Sequence, residues 1–196
     1  MPYAQKNRSL QDAVQISFWL VGVLFLVEAV EMLTRMNFDR FGIVSRTTYG
    51  LVGVIVSPLL HGSTAHLIAN AVPLFVLLTL MHWDRQYRAG ESLSLIWLLS
   101  GLGTWLIGRP YGDAPPAVHL GASSIVYGLV AYIITAGFLV DSWRAIGMAV
   151  IVGVFYGGIF YGVLPQNGQI SWEAHLCGAL AGVWVARAMH LRKRRG

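Results

Sequence analysis

The side chains best suited to acid–base or nucleophilic chemistry lie inside apolar stretches of the chain. Ser123 opens one such stretch, His175 opens another, and His66 and Asn70 share a third. Imidazole and amide groups are costly inside a bilayer, and there they are usually functional. A serine is a weak nucleophile until a base removes its proton, and histidine is the usual base. The pattern therefore predicts a Ser123–His175 dyad for nucleophilic chemistry.

The composition places these residues in a membrane protein. Of the 196 residues, 56% are hydrophobic and 12% are charged, whereas a soluble domain has about 25% charged residues. The net charge of +5 comes largely from the terminal run Arg192–Arg195. Next to an apolar helix such a run favours contact with anionic lipid at a cytoplasmic flank, and not nucleic acid. The single cysteine, Cys177, excludes an intramolecular disulfide.

Six apolar segments approach the length of about 20 residues that a bilayer requires. They cover roughly residues 15–33, 61–81, 93–107, 122–140, 145–164 and 174–189, and a long first loop covers residues 34–60. We predict an all-α polytopic membrane protein, a six-helix transmembrane bundle in a single domain over residues 1–196. A loop this long is expected to be partly structured at the interface. Glu28 and Glu31, at the end of the first segment, are interpreted as structural groups that contact water or the next loop.

The distribution of cations predicts the orientation. Ten Lys and Arg residues lie at the ends and in the even loops, and four lie in the odd loops. The positive-inside rule then puts both termini in the cytoplasm, and a prokaryotic inner membrane is the expected location. The second, fourth and sixth segments run in the same direction, so their polar first turns meet at similar depth on the non-cytoplasmic side.

Helix periodicity predicts which side chains face one another. His66 and Asn70 are four residues apart and share a face, as do Ser123 and Tyr127, whereas Ser124 is turned about 100° away. His66, Asn70 and the Ser123 N–H are the expected donors to an oxyanion. Gly121 would permit close approach, Tyr127 could stack on His175, and Gly178 with Gly182 forms a small-residue motif for tight packing.

Other chemistries fit the sequence less well. Glu173 lies on a different face from His175, so no carboxylate completes a triad. Several histidines could bind zinc, but the chain has no H-E-x-x-H helix, and we expect no metal and no cofactor. The predicted spans have no interior aspartate for an aspartyl protease. Channels and carriers usually show paired half-repeats, which are not found here.

These residues also resemble the motifs of a known family. His61, His66 and Asn70 match the H-x4-H-x3-N of rhomboid proteases, Gly121-Ala122-Ser123 matches their G-x-S, and His175 with Gly178 matches their catalytic histidine helix. The resemblance implies a serine endopeptidase that cleaves transmembrane protein substrates near small residues. It implies that Ser123 is the nucleophile, His175 the base, His66 and Asn70 oxyanion donors, and His61 a structural or cavity-lining residue. Tyr127 matches an aromatic residue that packs on the base.

Two departures from the family pattern and one alternative remain. Many relatives have glycine where this chain has Ser124, and many have Trp-Arg in the first loop, which here must be anchored differently, for example through Phe38, Phe41 and Tyr49. The alternative function is an inactive relative that binds membrane helices without cutting them. The glycine-rich fifth segment, with the loop at residues 165–169 after it, is the expected moving wall for lateral substrate access.

Overall fold

A computed structural model describes residues 8–109, 117–140, 142–165 and 171–195. The described chain forms seven α-helices, and no strand is found within these ranges. They are α1 (Leu10–Thr34), α2 (Gly50–Val56), α3 (Thr64–Trp83), α4 (Ala89–Ile107), α5 (Ser123–Leu139), α6 (Trp143–Tyr156) and α7 (Trp172–Arg195). Short 3₁₀ helices cover Asp39–Phe41, Ser57–Leu59, Arg85–Tyr87 and Gly157–Val163. Most of the predicted loop at 165–169 lies outside the described residues.

The helices agree with an all-α membrane fold. Four described stretches are long and apolar enough to cross a bilayer: Leu10–Thr34, Thr64–Trp83, Arg85–Ile107 and Trp143–Val163. Helix α5 is also apolar but shorter, at 17 residues. Six helices, α1 and α3–α7, correspond to the six predicted segments, and the short α2 lies in the first loop. The protein is therefore a polytopic helical membrane protein.

The second segment begins later than the sequence suggested. Residues 61–63 precede the helix, because Ser63 caps α3 by accepting a hydrogen bond from the His66 N–H at 3.1 Å. A serine at this position satisfies one of the free N–H groups of the first turn. His61 therefore lies in the loop before the helix, three residues ahead of its first residue.

Helix α5 is the centre of the bundle. It is buried along most of its length and packs against α3, α4, α6 and α7. At Gly178 and Gly182 of α7, an added Cβ would overlap the carbonyl oxygens of Ser124 and Gly128. The two helices can approach this closely only because α7 has glycine at both positions. The predicted small-residue motif is confirmed as the tight contact between the helices that hold Ser123 and His175.

The first loop is partly helical, as predicted, and it is tied to the ends of two helices. Glu31 Oε1 accepts from the Phe38 N–H at 2.8 Å, and Glu28 Oε1 accepts from Thr64 Oγ1 at 3.2 Å. These contacts confirm the structural interpretation of both glutamates. Their carboxylates hold the start of the first loop and the first turn of α3 against the end of α1.

The main anchor of the first loop was not predicted. Arg46 donates from Nη1 to the Leu106 carbonyl at 3.3 Å and from Nη2 to the Gly108 carbonyl at 3.4 Å. Trp105 Nε1 donates to the Thr47 carbonyl at 2.8 Å. An arginine at the C-terminus of a helix satisfies carbonyls that have no partner within the helix. The loop is thus fixed to α4 by Arg46, although it lacks the tryptophan that precedes an arginine in many relatives.

Candidate active site

Ser123 and His175 lie within hydrogen-bond distance of each other. Ser123 is the first residue of α5, and its Oγ is 3.0 Å from His175 Nε2 on α7. The neighbouring Ser124 is buried and faces α4, with its Oγ 3.5 Å from Ser100 Oγ. The helical prediction that only one of the two serines faces the histidine is confirmed.

Two contacts fix the His175 ring. The Tyr127 ring stacks on it with 4.0 Å between ring centroids and an interplanar angle of 10°, as predicted. At the edge of the same ring, His175 Nδ1 is 3.0 Å from the Gly162 carbonyl oxygen. A carbonyl oxygen only accepts, so Nδ1 carries the proton, and in the neutral ring Nε2 is free to accept from the Ser123 hydroxyl.

The Gly162 carbonyl is the part of the site that sequence reasoning missed. It belongs to the 3₁₀ end of the fifth segment, and it orients the histidine through the backbone. Every residue has a backbone carbonyl, so no sequence motif could have predicted this contact. The close packing explains why residue 162 is a glycine. A Cβ at this position would overlap the Tyr127 hydroxyl and lie 3.2 Å from His175 Nδ1.

His66 and Asn70 face the backbone at Gly121. Gly121 has φ of 104°, a left-handed conformation that favours glycine, and a Cβ there would lie 2.6 Å from His66 Cε1 and 3.7 Å from Asn70 Nδ2. Asn70 uses one Nδ2 hydrogen to bond the His66 carbonyl at 2.9 Å. The amide therefore keeps a second N–H. The structure brings both predicted donors to the residue two positions before Ser123.

His61 is a buried residue of the loop before α3. It is 3% exposed, and its Nε2 accepts from the Ala122 N–H at 3.4 Å. Its ring lies edge-on to that of His66, with 5.2 Å between centroids. Burial, helped by the nearby His66, lowers the pKa of His61 to about 4. His61 is thus neutral at pH 7 and supports the backbone just before Ser123.

Glu173 does not contact His175. It is 1% exposed, and its Oε1 is 3.0 Å from Arg109 Nε at the end of α4. The carboxylate therefore serves an ion pair between the end of α4 and the first turn of α7. Within the described ranges, no group of three or more His, Cys, Asp or Glu side chains is arranged to hold a metal ion.

Comparison with known proteins identifies the family. An uncharacterized protein of Mycobacterium tuberculosis is 40% identical over 178 residues, which are 89% of this chain and 74% of that protein. An uncharacterized protein of Mycobacterium leprae is 34% identical over 99% of this chain and 79% of its own length. A RHOMBOID-like protein of Arabidopsis thaliana is 23% identical over 70% of this chain and 43% of its own. The pattern of the Rhomboid domain matches residues 48–192, and the chain therefore belongs to the rhomboid family.

Proposed function

We propose that this protein is an intramembrane serine endopeptidase that cleaves transmembrane protein substrates near small residues. The observation that carries the proposal is the 3.0 Å contact between Ser123 Oγ and His175 Nε2, with Nδ1 of the same ring bonded to a carbonyl. This arrangement leaves the unprotonated nitrogen facing the hydroxyl, which is what a general base requires.

In the proposed reaction, Ser123 Oγ attacks the scissile carbonyl carbon while His175 Nε2 takes the hydroxyl proton. The carbonyl oxygen becomes an oxyanion near the N-terminus of α5, where backbone N–H groups have no partner within the helix. In this proposal His66 and the second N–H of Asn70 donate to it. His175 then gives the proton to the leaving amine, and a water molecule hydrolyses the ester on Ser123 by the same steps.

The proposed site opens to the non-cytoplasmic side of the membrane, with both termini in the cytoplasm. This orientation rests on the cation distribution described above and on the position of the dyad at the first turns of α5 and α7. Hydrolysis needs water, and the outer end of the bundle is where water can reach Ser123. The partners of the protein are then the surrounding lipid and the transmembrane segments of its substrates.

The test is to treat the detergent-solubilised protein with a fluorophosphonate probe and to map the modified residue by mass spectrometry. We expect labelling of Ser123 in the wild type and none in the matched Ser123→Ala variant. The same two proteins in lipid vesicles are then mixed with a reporter transmembrane substrate, which only the wild type should cleave. A folded wild-type protein that binds the reporter, is not labelled and does not cut would instead be the inactive helix-binding relative.

A further inference from the structure

A second serine–histidine contact lies outside the candidate dyad. His119 Nδ1 is 2.5 Å from Ser171 Oγ. His119 precedes Ser123 by four residues, and Ser171 precedes His175 by four residues, so both contacts join positions 52 apart. The two contacts therefore lie one after the other between the same two parts of the chain. No step of the proposed reaction requires the side chain of His119 or of Ser171.

His119 is firmly held by the first loop. Its side chain is 2% exposed, and its backbone exchanges two hydrogen bonds with Ile43, at 2.8 and 2.9 Å. Gly121 follows two residues later, and its N–H donates to the Ser57 carbonyl at 2.9 Å. The segment from His119 to Ser123 thus has its position set by residues of the first loop, independently of α7.

Ser171 is coupled directly to the candidate base. Its carbonyl oxygen accepts from the His175 N–H at 3.2 Å, which closes the first turn of α7. The side chain of the same residue makes the contact with His119. First turns of helices lack part of their hydrogen bonding and open easily. A side-chain bond from Ser171 to a rigid neighbour therefore restrains the turn that carries His175.

From this geometry we propose that His119 and Ser171 form a positioning pair that holds the first turn of α7 at the distance from α5 that the Ser123–His175 contact needs. The inference rests on the proposed function, because only a reaction at Ser123 requires the Ser123–His175 distance to be kept. The His119–Ser171 contact is separate from the contact between Ser123 Oγ and His175 Nε2. It acts through the backbone on both sides of the dyad, where a displacement of about 1 Å can cost up to about 10²-fold in rate.

Serine variants test the pair without a large change in volume. Ser171→Ala removes the hydroxyl, and Ser171→Thr keeps it. Ser92→Ala is the control, because the Ser92 hydroxyl also makes a hydrogen bond within the protein, to the Tyr87 carbonyl at 2.7 Å, and lies at the other end of the bundle. For each variant, the fluorophosphonate labelling rate of Ser123, kcat and KM for the reporter substrate, and the unfolding temperature are measured.

We expect Ser171→Ala to lower the labelling rate and kcat by about 10-fold or more, with KM unchanged. Ser171→Thr should restore both, and Ser92→Ala should leave both at the wild-type value. In a double-mutant cycle, His119→Leu with Ser171→Ala should cost no more than the more damaging single change, since one contact is lost in either case.

Three results would overturn the inference, and each can be told apart from the others. If the wild type is labelled at Ser123 and Ser171→Ala is labelled at the same rate, the pair does not position the dyad and the proposed function stands. Ser92→Ala could also lower the labelling rate and kcat as much as Ser171→Ala does, for the same drop in unfolding temperature. The pair would then be a general stabilising contact and not a positioning pair. If the wild type is neither labelled nor active, the proposed function fails and the inference falls with it.

Discussion

The carbonyl oxygen of Gly162 accepts a hydrogen bond from His175 Nδ1 at 3.0 Å, so the chain that follows α6 orients the candidate base. In serine proteases with a triad, a carboxylate has this orienting role. Here the role falls to the backbone of a segment that is otherwise turned outward, since Val154 and Phe155 on α6 are 76% and 78% exposed. The same segment is the expected wall for lateral substrate access, so any movement of residue 162 would also change what holds the His175 ring.

The first prediction concerns this movement. Helix α6 packs on α5, and residues 157–163 pack on α7. Cross-linking Val72→Cys of α3 to Phe155→Cys of α6 with a bifunctional thiol reagent should slow cleavage of a membrane-embedded reporter and leave fluorophosphonate labelling unchanged, because the small probe needs no lateral opening. The single-cysteine variants serve as controls, and the native Cys177 is buried. Normal cleavage by the cross-linked protein would exclude access between α3 and α6.

Two phenylalanines of the fifth segment provide a milder test. Phe160 is partly buried against the core, whereas Phe155 is 78% exposed. Phe160→Ala should loosen the segment and raise or preserve cleavage of the embedded reporter, and Phe155→Ala should change little because it has less packing to lose. If Phe160→Ala loses activity and unfolding temperature together, the segment is ordinary core.

The second prediction separates the two neighbouring serines. Ser123→Ala should abolish both labelling and cleavage. Ser124→Ala should keep most of the activity, because the Ser124 hydroxyl faces Ser100 and not His175. The measurement is initial cleavage rate at equal amounts of folded protein. An inactive Ser124 variant alongside an active Ser123 variant would reverse the assignment.

The third prediction concerns the oxyanion. Removing one donor from a preorganised oxyanion site costs about 10²–10³ in turnover. Asn70→Ala should lower kcat toward this range and yet retain more activity than Ser123→Ala, because His66 and the Ser123 N–H remain. Labelling of Ser123 should slow in parallel, since the probe also develops negative charge. Wild-type kcat in Asn70→Ala would exclude the amide from this role.

The fourth prediction concerns the contact between α5 and α7. Gly178→Ala should lower the unfolding temperature and the cleavage rate together, because the new Cβ would overlap the Ser124 carbonyl and separate the two helices. Gly22→Ala on α1 is the matched control, since a Cβ there meets nothing within 4 Å. Replacing glycine by alanine within a helix favours the helix by about 1 kcal/mol. Equal stability of the two variants would contradict the close approach.

The fifth prediction concerns pH. Burial lowers the pKa of His61 to about 4 in the folded protein, from an ordinary 6.5. The unfolded chain therefore binds the proton more readily, and stability that is complete above about pH 6.5 is lost as the pH falls toward 4. His61→Gln can still accept from the Ala122 N–H and does not titrate. The unfolding temperatures of wild type and His61→Gln should diverge over this interval, with the wild type falling faster. Parallel curves would contradict the shift.

Helix periodicity predicted those parts of the site that depend on side chains of one helix. Ser123 and Tyr127 face His175 while Ser124 turns away, and Gly178 lies at the helix contact, as their spacing indicated. The predicted topology also indicated which helices meet at the site. The second, fourth and sixth segments run in the same direction, so their first turns lie together.

Backbone contacts and helix ends could not be predicted in the same way. The Gly162 carbonyl and the carbonyls bound by Arg46 belong to the backbone, which is the same in every residue, so no sequence pattern predicts these contacts. The sequence put the start of the second segment at about His61, whereas α3 begins at Thr64. Ser63, a capping residue just before Thr64, is the local signal that would have corrected it.

Both contacts between the start of α5 and the start of α7 join residues that are 52 positions apart. At a synthesis rate of about 5–20 residues per second, the nucleophile leaves the ribosome about 3–10 s before the base. Until α7 inserts, the nascent bundle has Ser123 without His175 and without the proposed pair that aligns them. The proposed protease is therefore inert until α7 has been made, and neighbouring membrane proteins are exposed to its activity only after α7 is in place.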